Sequence, residues 1–269
     1  MKTPAPTNKH RYLGLLILSP VLIGSGILLA SAPPMQSYPK HESIENEREA
    51  NQPAPIEEKT FGYSELGRPI TGYEIGSGEE CLLIFGGLHG DEKGTVDLVQ
   101  RFADEVLAQP NLVPTTRKLV VVPLVNPDGY FDGIYRNNTN GVNVNRNFAT
   151  SGWTAYPDSE TFAGREPFSE NESRVIKTIV EDCAPSVMVA FHSQGGVVSP
   201  EAGSESLALA EWYIAKTGYS YFNDWDYPGT ATKWFTETTG NPSITVEITN
   251  HSDSDWEINE PALRELLMY

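Results

Sequence analysis

The sequence predicts a single α/β domain in which helices cover both faces of a mostly parallel or mixed, twisted sheet. Short, wholly apolar runs, which are typical of strands buried on both faces, alternate along the chain with segments of helical periodicity. Such alternation produces crossover connections, which place successive strands in one sheet and pack the intervening helices against it. The pattern occupies residues 60–269, a length sufficient for one hydrophobic core.

Four apolar runs predict the core strands. They are CLLIFG (81–86), LVVVPLV (119–125), VMVAF (187–191) and SITVEIT (243–249). Each run is four to eight residues long and rich in Val, Ile, Leu or Phe, as expected for strands of a parallel sheet. We expect these strands to form the centre of the sheet.

Two segments predict helices that pack on the sheet. Residues 93–109 carry apolar side chains three or four positions apart, and a second such face follows Ser169 and Glu172, which have the spacing of a capping box. The apolar faces consist of Val96, Val99, Phe102 and Val106 in the first helix and of Val175, Ile176, Ile179 and Val180 in the second. Both helices connect one predicted strand to the next.

The first 59 residues differ in composition from the domain. Residues 1–11 are basic and precede an uncharged apolar segment, residues 12–30, of about the length that a membrane-spanning helix needs. We expect a single-pass anchor with a cytoplasmic N-terminus and the domain on the periplasmic or extracellular side. The alternative is a signal peptide cleaved near Ala30–Ala32, which would release the domain. Residues 31–59, rich in Pro, Glu and Asn, predict a disordered linker.

Composition limits the partners. The formal net charge is −17 and no basic patch is apparent, so the sequence excludes nucleic acid as a partner. Cys81 and Cys183 are too few for a disulfide scaffold and do not have the spacing of a metal-ligand pair. Whether these two cysteines bond to each other is open at this point.

Polar side chains occur where predicted core strands end. His89 and Glu92 follow the first strand, His192 ends the third, and Glu247 lies near the end of the fourth. Because the carboxyl ends of parallel strands open onto the ligand crevice of such a sheet, we expect these groups to converge. Taken singly, each has an ordinary interpretation as a solvated or hydrogen-bonded residue, except Glu247, since an unpaired carboxylate in an apolar strand costs several kcal/mol.

Two histidines and one carboxylate form the ligand set of a catalytic zinc ion, with a fourth position left for water. Zinc lowers the pKa of that water to about 7, and a nearby carboxylate that is not a ligand can then take the proton. The sequence therefore predicts one zinc ion, held by His89, Glu92 and His192, beside Glu247.

Several motifs, in order, resemble the zinc carboxypeptidase (funnelin) family. They are GGLHGDEKG (86–94), VNPDGY (125–130), NGVNVNRNF (140–148), GREPFSENES (164–173), FHSQ (191–194) and ITVEI (244–248). The resemblance implies that Glu247 acts as general base and then as proton donor to the leaving amine. It also implies that Arg136 stabilises the oxyanion, and that Asn145 and Arg146 bind the terminal carboxylate of the substrate.

Two positions depart from the family pattern or match it ambiguously. Tyr227, in DYPGT, is identified with the family tyrosine that closes over substrate, although an aromatic residue that merely packs there is an equal alternative. Asn143 stands where the family usually has Asp, an acid that commonly supports a zinc histidine. Loss of that charge would weaken metal affinity by up to about 10–100-fold without removing the site.

Among family members the domain is similar to the smaller bacterial enzymes, including the murein peptide amidases. The resemblance implies a peptide or muropeptide substrate with a free C-terminal carboxylate, and possible cleavage of the γ-D-glutamyl–diaminopimelate bond. We expect the specificity pocket to include residues near Thr230, Thr232 and Lys233. Two alternatives are a zinc N-acyl amino acid deacylase of the aspartoacylase and succinylglutamate desuccinylase type, and a non-catalytic peptide-binding relative.

Overall fold

Eight strands form one mixed sheet in the computed structural model, which describes residues 54–133, 136–155 and 162–269. The strands are β1 (Ile56–Tyr63), β2 (Pro69–Ile75), β3 (Glu80–Phe85), β4 (Arg117–Val122), β5 (Val187–Ser193), β6 (Val197–Pro200), β7 (Ser220–Tyr221) and β8 (Ser243–Ile248). Their order across the sheet is β1-β2-β4-β3-β5-β8-β6-β7.

Helices connect the strands. In the same described ranges they are α1 (Lys93–Ala108), α2 (Pro127–Asp132), α3 (Asn171–Cys183), α4 (Ser204–Thr217), α5 (Ala231–Thr239) and α6 (Trp256–Leu266). Short 3₁₀ turns lie at Pro110–Leu112 and Val144–Arg146. The predicted helix over residues 93–109 is thus α1, and the one after Glu172 is α3.

The centre of the sheet is parallel, as the sequence predicts. Strands β4, β3, β5 and β8 are parallel neighbours, whereas β1, β2 and β6 pair antiparallel at the flanks. All four predicted core strands are therefore confirmed, to within a few residues at their ends. The carboxyl ends of β3, β5 and β8 lie at one edge of the sheet, and this edge carries the polar residues singled out above.

Alternating side chains along each central strand supply two hydrophobic cores. In β3, Leu82 and Ile84 belong to the core that includes residues of α1, α4 and α6, while Leu83 and Phe85 belong to the core that includes residues of α3 and α5. This alternation follows from the two-residue period of a strand. It confirms the expectation that helices cover both faces.

A disulfide bond joins the central sheet to helix α3. Cys81, in β3, is bonded to Cys183, the last residue of α3, with the Cα atoms 6.0 Å apart. The bond closes a sequence separation of 102 residues, and restricting the unfolded chain over that distance is worth about 4–5 kcal/mol in the chain-entropy description. The pairing that the sequence left open is therefore settled.

Two local expectations are wrong. The strand β1 begins at Ile56, ahead of the domain boundary expected at Thr60, because most of its residues are exposed on an edge strand and give no apolar signal. The capping box at Ser169 and Glu172 does not form. Glu170 is the N-cap residue of α3 and makes no side-chain cap, while Ser169 donates instead to Glu170 Oε1 at 2.6 Å.

The predictions for the N-terminal part fall mostly outside the described residues. The basic N-terminus (1–11), the apolar segment (12–30) and all but the end of the linker (31–59) are among them. Within the ranges that are described, none of the helices combines the length and the apolarity needed to cross a bilayer.

Candidate active site

The loop between β3 and α1 brings His89 and Glu92 to the sheet edge. Gly87 lies in the left-handed region at φ +60°, and a Cβ there would come within 2.8 Å of Leu124 and Val96, so the tight turn requires glycine. Glu92 is the N-cap residue of α1. Both site side chains are fully buried, which means that each must be compensated by a partner.

His192, near the end of β5, completes a cluster of three. Its Nδ1 atom lies 2.9 Å from Glu92 Oε2 and 3.2 Å from His89 Nδ1, and His89 Nδ1 lies 2.8 Å from Glu92 Oε1. The three predicted metal ligands therefore converge, although β5 is about 100 residues away along the chain. Among the described residues they form a group able to hold a metal ion.

The donor set fits zinc. Ligands about 2.0–2.1 Å from a tetrahedral zinc ion lie about 3.3 Å apart, and the separations observed here are close to that value. Two imidazole nitrogens and a carboxylate leave one position open for water or substrate. Glu92 is a fully buried acid that faces both rings, which is the arrangement expected around a shared cation.

Ionisation in the cluster also favours metal binding. Burial lowers the pKa of His89 to about 4, so the ring is neutral near pH 7 and keeps a lone pair for a metal. Burial alone would raise the pKa of Glu92, but His89 and His192 together outweigh it and hold the pKa of that carboxyl well below its usual range. Neutral imidazoles and an ionised carboxylate are the forms that bind zinc.

The far nitrogen of each histidine ring contacts an asparagine of the segment around the 3₁₀ turn Val144–Arg146. Asn143 Oδ1 lies 3.0 Å from His89 Nε2, and Asn145 Nδ2 lies 3.2 Å from His192 Nε2. Asn145 also accepts a hydrogen bond from the backbone N–H of Ala231 at the start of α5. These contacts orient both rings, and the expected support of a metal histidine by residue 143 is present.

Glu247 lies beside the cluster because of strand register. In the parallel pair β5–β8, His192 is the direct partner of Glu247. The carboxylate lines a cavity of about 310 Å³ and accepts no hydrogen bond from the described part of the chain. Burial raises the pKa of Glu247 to about 7, with the charge of Glu92 adding to the shift and His192 and Arg136 opposing it. A carboxyl group with a pKa in this range can exchange a proton near neutral pH.

The predicted cationic residues line the same cavity. Arg136 Nη1 lies 3.3 Å from Glu92 Oε1, and its side chain remains partly exposed. Arg146 donates to the backbone carbonyl of Asn145 at 2.6 Å, and its guanidinium lies 4.5 Å from the ring centre of Tyr227. Tyr227 is half exposed at the cavity wall. The structure thus brings together all eight residues that the sequence singled out.

Other cavity residues extend the site beyond the predicted set. Thr230, Thr232 and Lys233, expected near the specificity pocket, do line the cavity, and so do Ser199, Glu201, Trp225, Asp226 and Thr245. Ser199 lies in β6 and Glu201 directly follows that strand. The sequence could not indicate these two residues, because β6 has no distinctive signal in it. For Thr245 the sequence did hold a signal, because it lies two residues before Glu247 in the same strand and therefore on the same strand face.

Comparison with known proteins agrees with this site. Residues 42–211, more than half of the chain, match the sequence profile of the family described as zinc carboxypeptidase. The chain belongs to the zinc carboxypeptidase family. Zinc, predicted from the ligand types, is thereby confirmed as the family metal, and His89, Glu92 and His192 are the group that could hold it.

Within this zinc carboxypeptidase family, bacterial cell-wall enzymes are among the similar proteins. The chain is 32% identical to murein peptide amidase A of Escherichia coli K12 over 165 residues, which cover 56% of this chain but only 64% of that protein. It is 23% identical over 236 residues to γ-D-glutamyl-L-diamino acid endopeptidase 1 of Lysinibacillus sphaericus, covering 70% and 59% of the two chains.

A solved structure supports the family fold. Murein-tripeptide amidase from Escherichia coli O157 superposes with a TM-score of 0.64 at 25% identity, covering 82% of this chain and 95% of that one. The single mixed sheet with helices on both faces is therefore that of a zinc carboxypeptidase.

Asn143 gives a first testable prediction. Asn143→Asp should tighten zinc binding about tenfold, because a carboxylate facing His89 Nε2 adds a negative charge and strengthens the ring as a donor. Competition with a chromophoric chelator at fixed pH measures the zinc dissociation constant. Asn111→Asp, the same change at an exposed position, is the control. Equal affinities in the wild type and Asn143→Asp would show that the charge at this position does not matter.

Proposed function

We propose that the protein is a zinc-dependent metallocarboxypeptidase that hydrolyses the C-terminal amide bond of peptides, and that its substrate is the γ-D-glutamyl–diaminopimelate bond of peptidoglycan peptides. One observation carries the proposal. The His89–Glu92–His192 cluster lies beside Glu247, the direct strand partner of His192, and Arg136 and Arg146 line the same cavity. The cavity has a volume of about 310 Å³.

Each side chain has a defined task in the hydrolysis. A bound zinc ion supplies Lewis-acid activation of water and of the scissile carbonyl. Glu247 takes a proton from the attacking water and later gives it to the amine as the C–N bond breaks, so that one carboxylate serves as base and then as acid. Its lack of hydrogen-bond partners among the described residues leaves both oxygens available for this exchange.

Arg136 is suited to stabilise negative charge beside the metal cluster. Its Nη1 atom is 3.3 Å from Glu92, beside the metal cluster, and the side chain reaches the cavity. A cationic donor aimed at the oxyanion of the tetrahedral intermediate is worth about 3 kcal/mol of barrier. Arg136 is therefore assigned to oxyanion stabilisation.

Arg146 is assigned to the terminal carboxylate of the substrate. Its planar guanidinium can donate two parallel hydrogen bonds to a carboxylate, and stacking on Tyr227 holds the plane in position. Asn145 is 8% exposed and engaged by His192 and Ala231, so any contact it makes with substrate is added to a role in orienting His192. We assign Tyr227, which lines the cavity, to covering the bound residue.

The similar proteins support the substrate class. Two of them are named for murein peptides or for γ-D-glutamyl-diamino acid bonds. The deacylase alternative is less well supported, since these relatives act on peptides by name. The non-catalytic alternative is also less well supported, because the metal ligands, the base and both arginines occupy one site.

Product analysis tests the proposal. The purified protein, incubated with the murein tripeptide L-Ala-γ-D-Glu-diaminopimelate, should release free diaminopimelate, as detected by mass spectrometry. A chelator should stop the release and added zinc should restore it. Ordinary peptides and N-acyl amino acids are tested in parallel. Hydrolysis confined to N-acyl amino acids would favour the deacylase, and no turnover of any substrate in zinc-loaded protein would favour the binding protein.

Arg146 gives a second prediction. Arg146→Ala should raise KM for free-carboxylate substrates by about 10–100-fold, because a charge-assisted bidentate contact is lost, and should leave C-terminally amidated analogues nearly unaffected. Arg101→Ala removes another arginine stacked on an aromatic ring, that of Trp256, away from the cavity, and is the matched control. Equal losses on both substrate forms would refute the carboxylate contact.

We also propose that the domain works outside the cytoplasm, with residues 12–30 as its anchor or export signal. The Cys81–Cys183 disulfide supports this location, since such bonds persist mainly in oxidising compartments. Alkaline phosphatase fused after Tyr269, which is active only when exported, should be active in cells. An inactive fusion would contradict the location.

A further inference from the structure

We propose that the protein has a second metal site, in which Glu65, Glu170 and Glu172 bind a calcium ion at the amino end of α3. None of these residues belongs to the zinc cluster, and each offers a carboxylate oxygen within 4.8 Å of those of the other two. The inference goes beyond the proposed peptidase function and does not depend on it. It rests on the position of the three acids, on a buried oxygen without a partner, and on the shortage of positive charge around them.

Separate parts of the fold bring the three carboxylates together. Glu65 lies in the turn after β1, and its Oε1 atom accepts a hydrogen bond from the backbone N–H of Asn171 at 2.7 Å. Asn171 is the first residue of α3, so this bond fixes Glu65 against the amino end of the helix. Glu170 and Glu172 flank Asn171 in the sequence. The cluster is therefore built into the folded domain and does not belong to one exposed loop.

Glu170 and Glu172 are buried acids that share one hydrogen-bond donor. Asn138 Nδ2 donates to Glu170 Oε2 at 2.8 Å and to Glu172 Oε2 at 3.1 Å, so both carboxylates lie against one amide nitrogen. Glu172 is fully buried, and its other oxygen, Oε1, has no hydrogen-bond partner among the described residues. Buried polar atoms are almost always compensated by a protein group, an ordered water or an ion. Glu172 therefore has a buried lone pair to offer to a cation.

Positive charge is scarce around the cluster. In the part of the chain that the structure describes, the basic side chain within ion-pair distance is Arg174, whose Nη2 atom lies 3.8 Å from Glu65 Oε1. Burial raises the pKa of Glu172 to about 7, and Glu65 adds to the shift while Asn138 opposes it. Three carboxylates thus share one guanidinium, and a divalent cation would balance the remaining charge.

A donor set made only of oxygens favours calcium over zinc. Calcium takes about six to eight oxygen ligands at about 2.3–2.6 Å, so two ligands on opposite sides of the ion are about 4.6–5.2 Å apart. The three carboxylates, within 4.8 Å of one another, fit that span. Glu170 also lines a cavity of about 420 Å³ together with Asn140 and Ser169. This cavity gives the ion a route to the cluster and leaves room for water ligands.

The ion would stabilise the loop that leads into the active site. Asn138, which contacts both Glu170 and Glu172, follows Arg136 by two positions. Its Oδ1 atom accepts a hydrogen bond from the backbone N–H of Val142 at 3.1 Å, just ahead of the segment that supports both metal histidines. We therefore expect calcium to stabilise the fold around the site and to take no part in hydrolysis itself.

Thermal unfolding of the protein, loaded with one equivalent of zinc in calcium-free buffer, tests the site. Zinc occupies the histidine cluster in this experiment, so added calcium reports on the acidic cluster. With a dissociation constant of about 10⁻⁴–10⁻³ M, typical of extracellular calcium sites, about 10 mM calcium should raise Tm by about 3–10 °C. Isothermal calorimetry should find one calcium ion bound per chain.

Two results with the wild type would overturn the proposal. An equal rise in Tm with magnesium, or with sodium chloride of the same ionic strength, would show that the effect is not selective for calcium. No rise with calcium would show that a proton, and not a metal ion, compensates Glu172.

Variants separate the site from the fold. Glu172→Gln keeps an acceptor for Asn138 but removes a buried charge, so it should lose most of the calcium-dependent rise, while its Tm without calcium equals or exceeds that of the wild type. Glu65→Gln, at a partly exposed position, should lose most of the rise as well, and it decides the result if Glu172→Gln does not fold. Glu181→Gln, the same change at an exposed position of α3, is the matched control and should keep the full rise. A full calcium-dependent rise in either cluster variant would place the ion elsewhere and overturn the proposal.

Discussion

Replacement of Glu247 by Gln should lower kcat by roughly 100- to 10,000-fold while zinc remains bound. The amide has the same shape and can still lie beside His192 in the β5–β8 register, but it cannot take a proton from water. Because Glu247 is not one of the three residues that could hold the metal, the ligand set is intact. Steady-state kinetics with the murein tripeptide and zinc content by atomic absorption measure the two quantities separately.

The pairing of these two readouts makes the result decisive. Loss of turnover together with loss of zinc would show that Glu247 acts through the metal site rather than as a base. Retained turnover would remove it from the mechanism. Glu257→Gln, the same change on the exposed start of α6, controls for the altered net charge and should match the wild type in both measurements.

The central strands were predictable because they are buried on both faces. Residues such as Leu82 and Leu83 in β3 must both be apolar, so the run stands out from its surroundings. The flanking strands β1 and β7 give no such signal, since their residues are largely exposed. Sequence spacing alone was also misleading at Glu172. Its distance from Ser169 along the chain fits a capping box, but in the folded protein the side chain of Asn138 donates a hydrogen bond to Glu172 Oε2 at 3.1 Å.

Residue types and motifs were sufficient to nominate the metal cluster and Glu247, since few roles explain such polar groups at the ends of apolar strands. The separations between His89, Glu92 and His192 were not predictable, because they depend on which strands become neighbours. The pairing of β5 with both β3 and β8 decides this. Glu201 belongs to no motif, and only the antiparallel return of β6 brings it into the cavity.

Removal of a metal ligand is the second change, after Glu247→Gln, for which we expect a large loss of turnover. His192→Ala should abolish stoichiometric zinc binding and lower turnover by roughly 1,000-fold or more, since the metal supplies several kcal/mol of transition-state stabilisation. The substitution also leaves Glu92 facing a single imidazole inside a buried site. Zinc titration followed by isothermal calorimetry measures the affinity, and circular dichroism verifies that the variant is folded.

Thermal unfolding gives an independent measure of the same loss. Zinc binds the native cluster, so an excess of 100 times its dissociation constant should stabilise the wild type by about 2.7 kcal/mol and raise its Tm. His192→Ala, lacking one of the three convergent donors, should show no such rise. His251→Ala is the matched control, because His251 Nδ1 contacts Ser193 Oγ at 2.7 Å, next to the cluster but outside it. A zinc-dependent rise in Tm that persists in His192→Ala would place the metal elsewhere, and the assignment of the β5 histidine as a ligand would then fail.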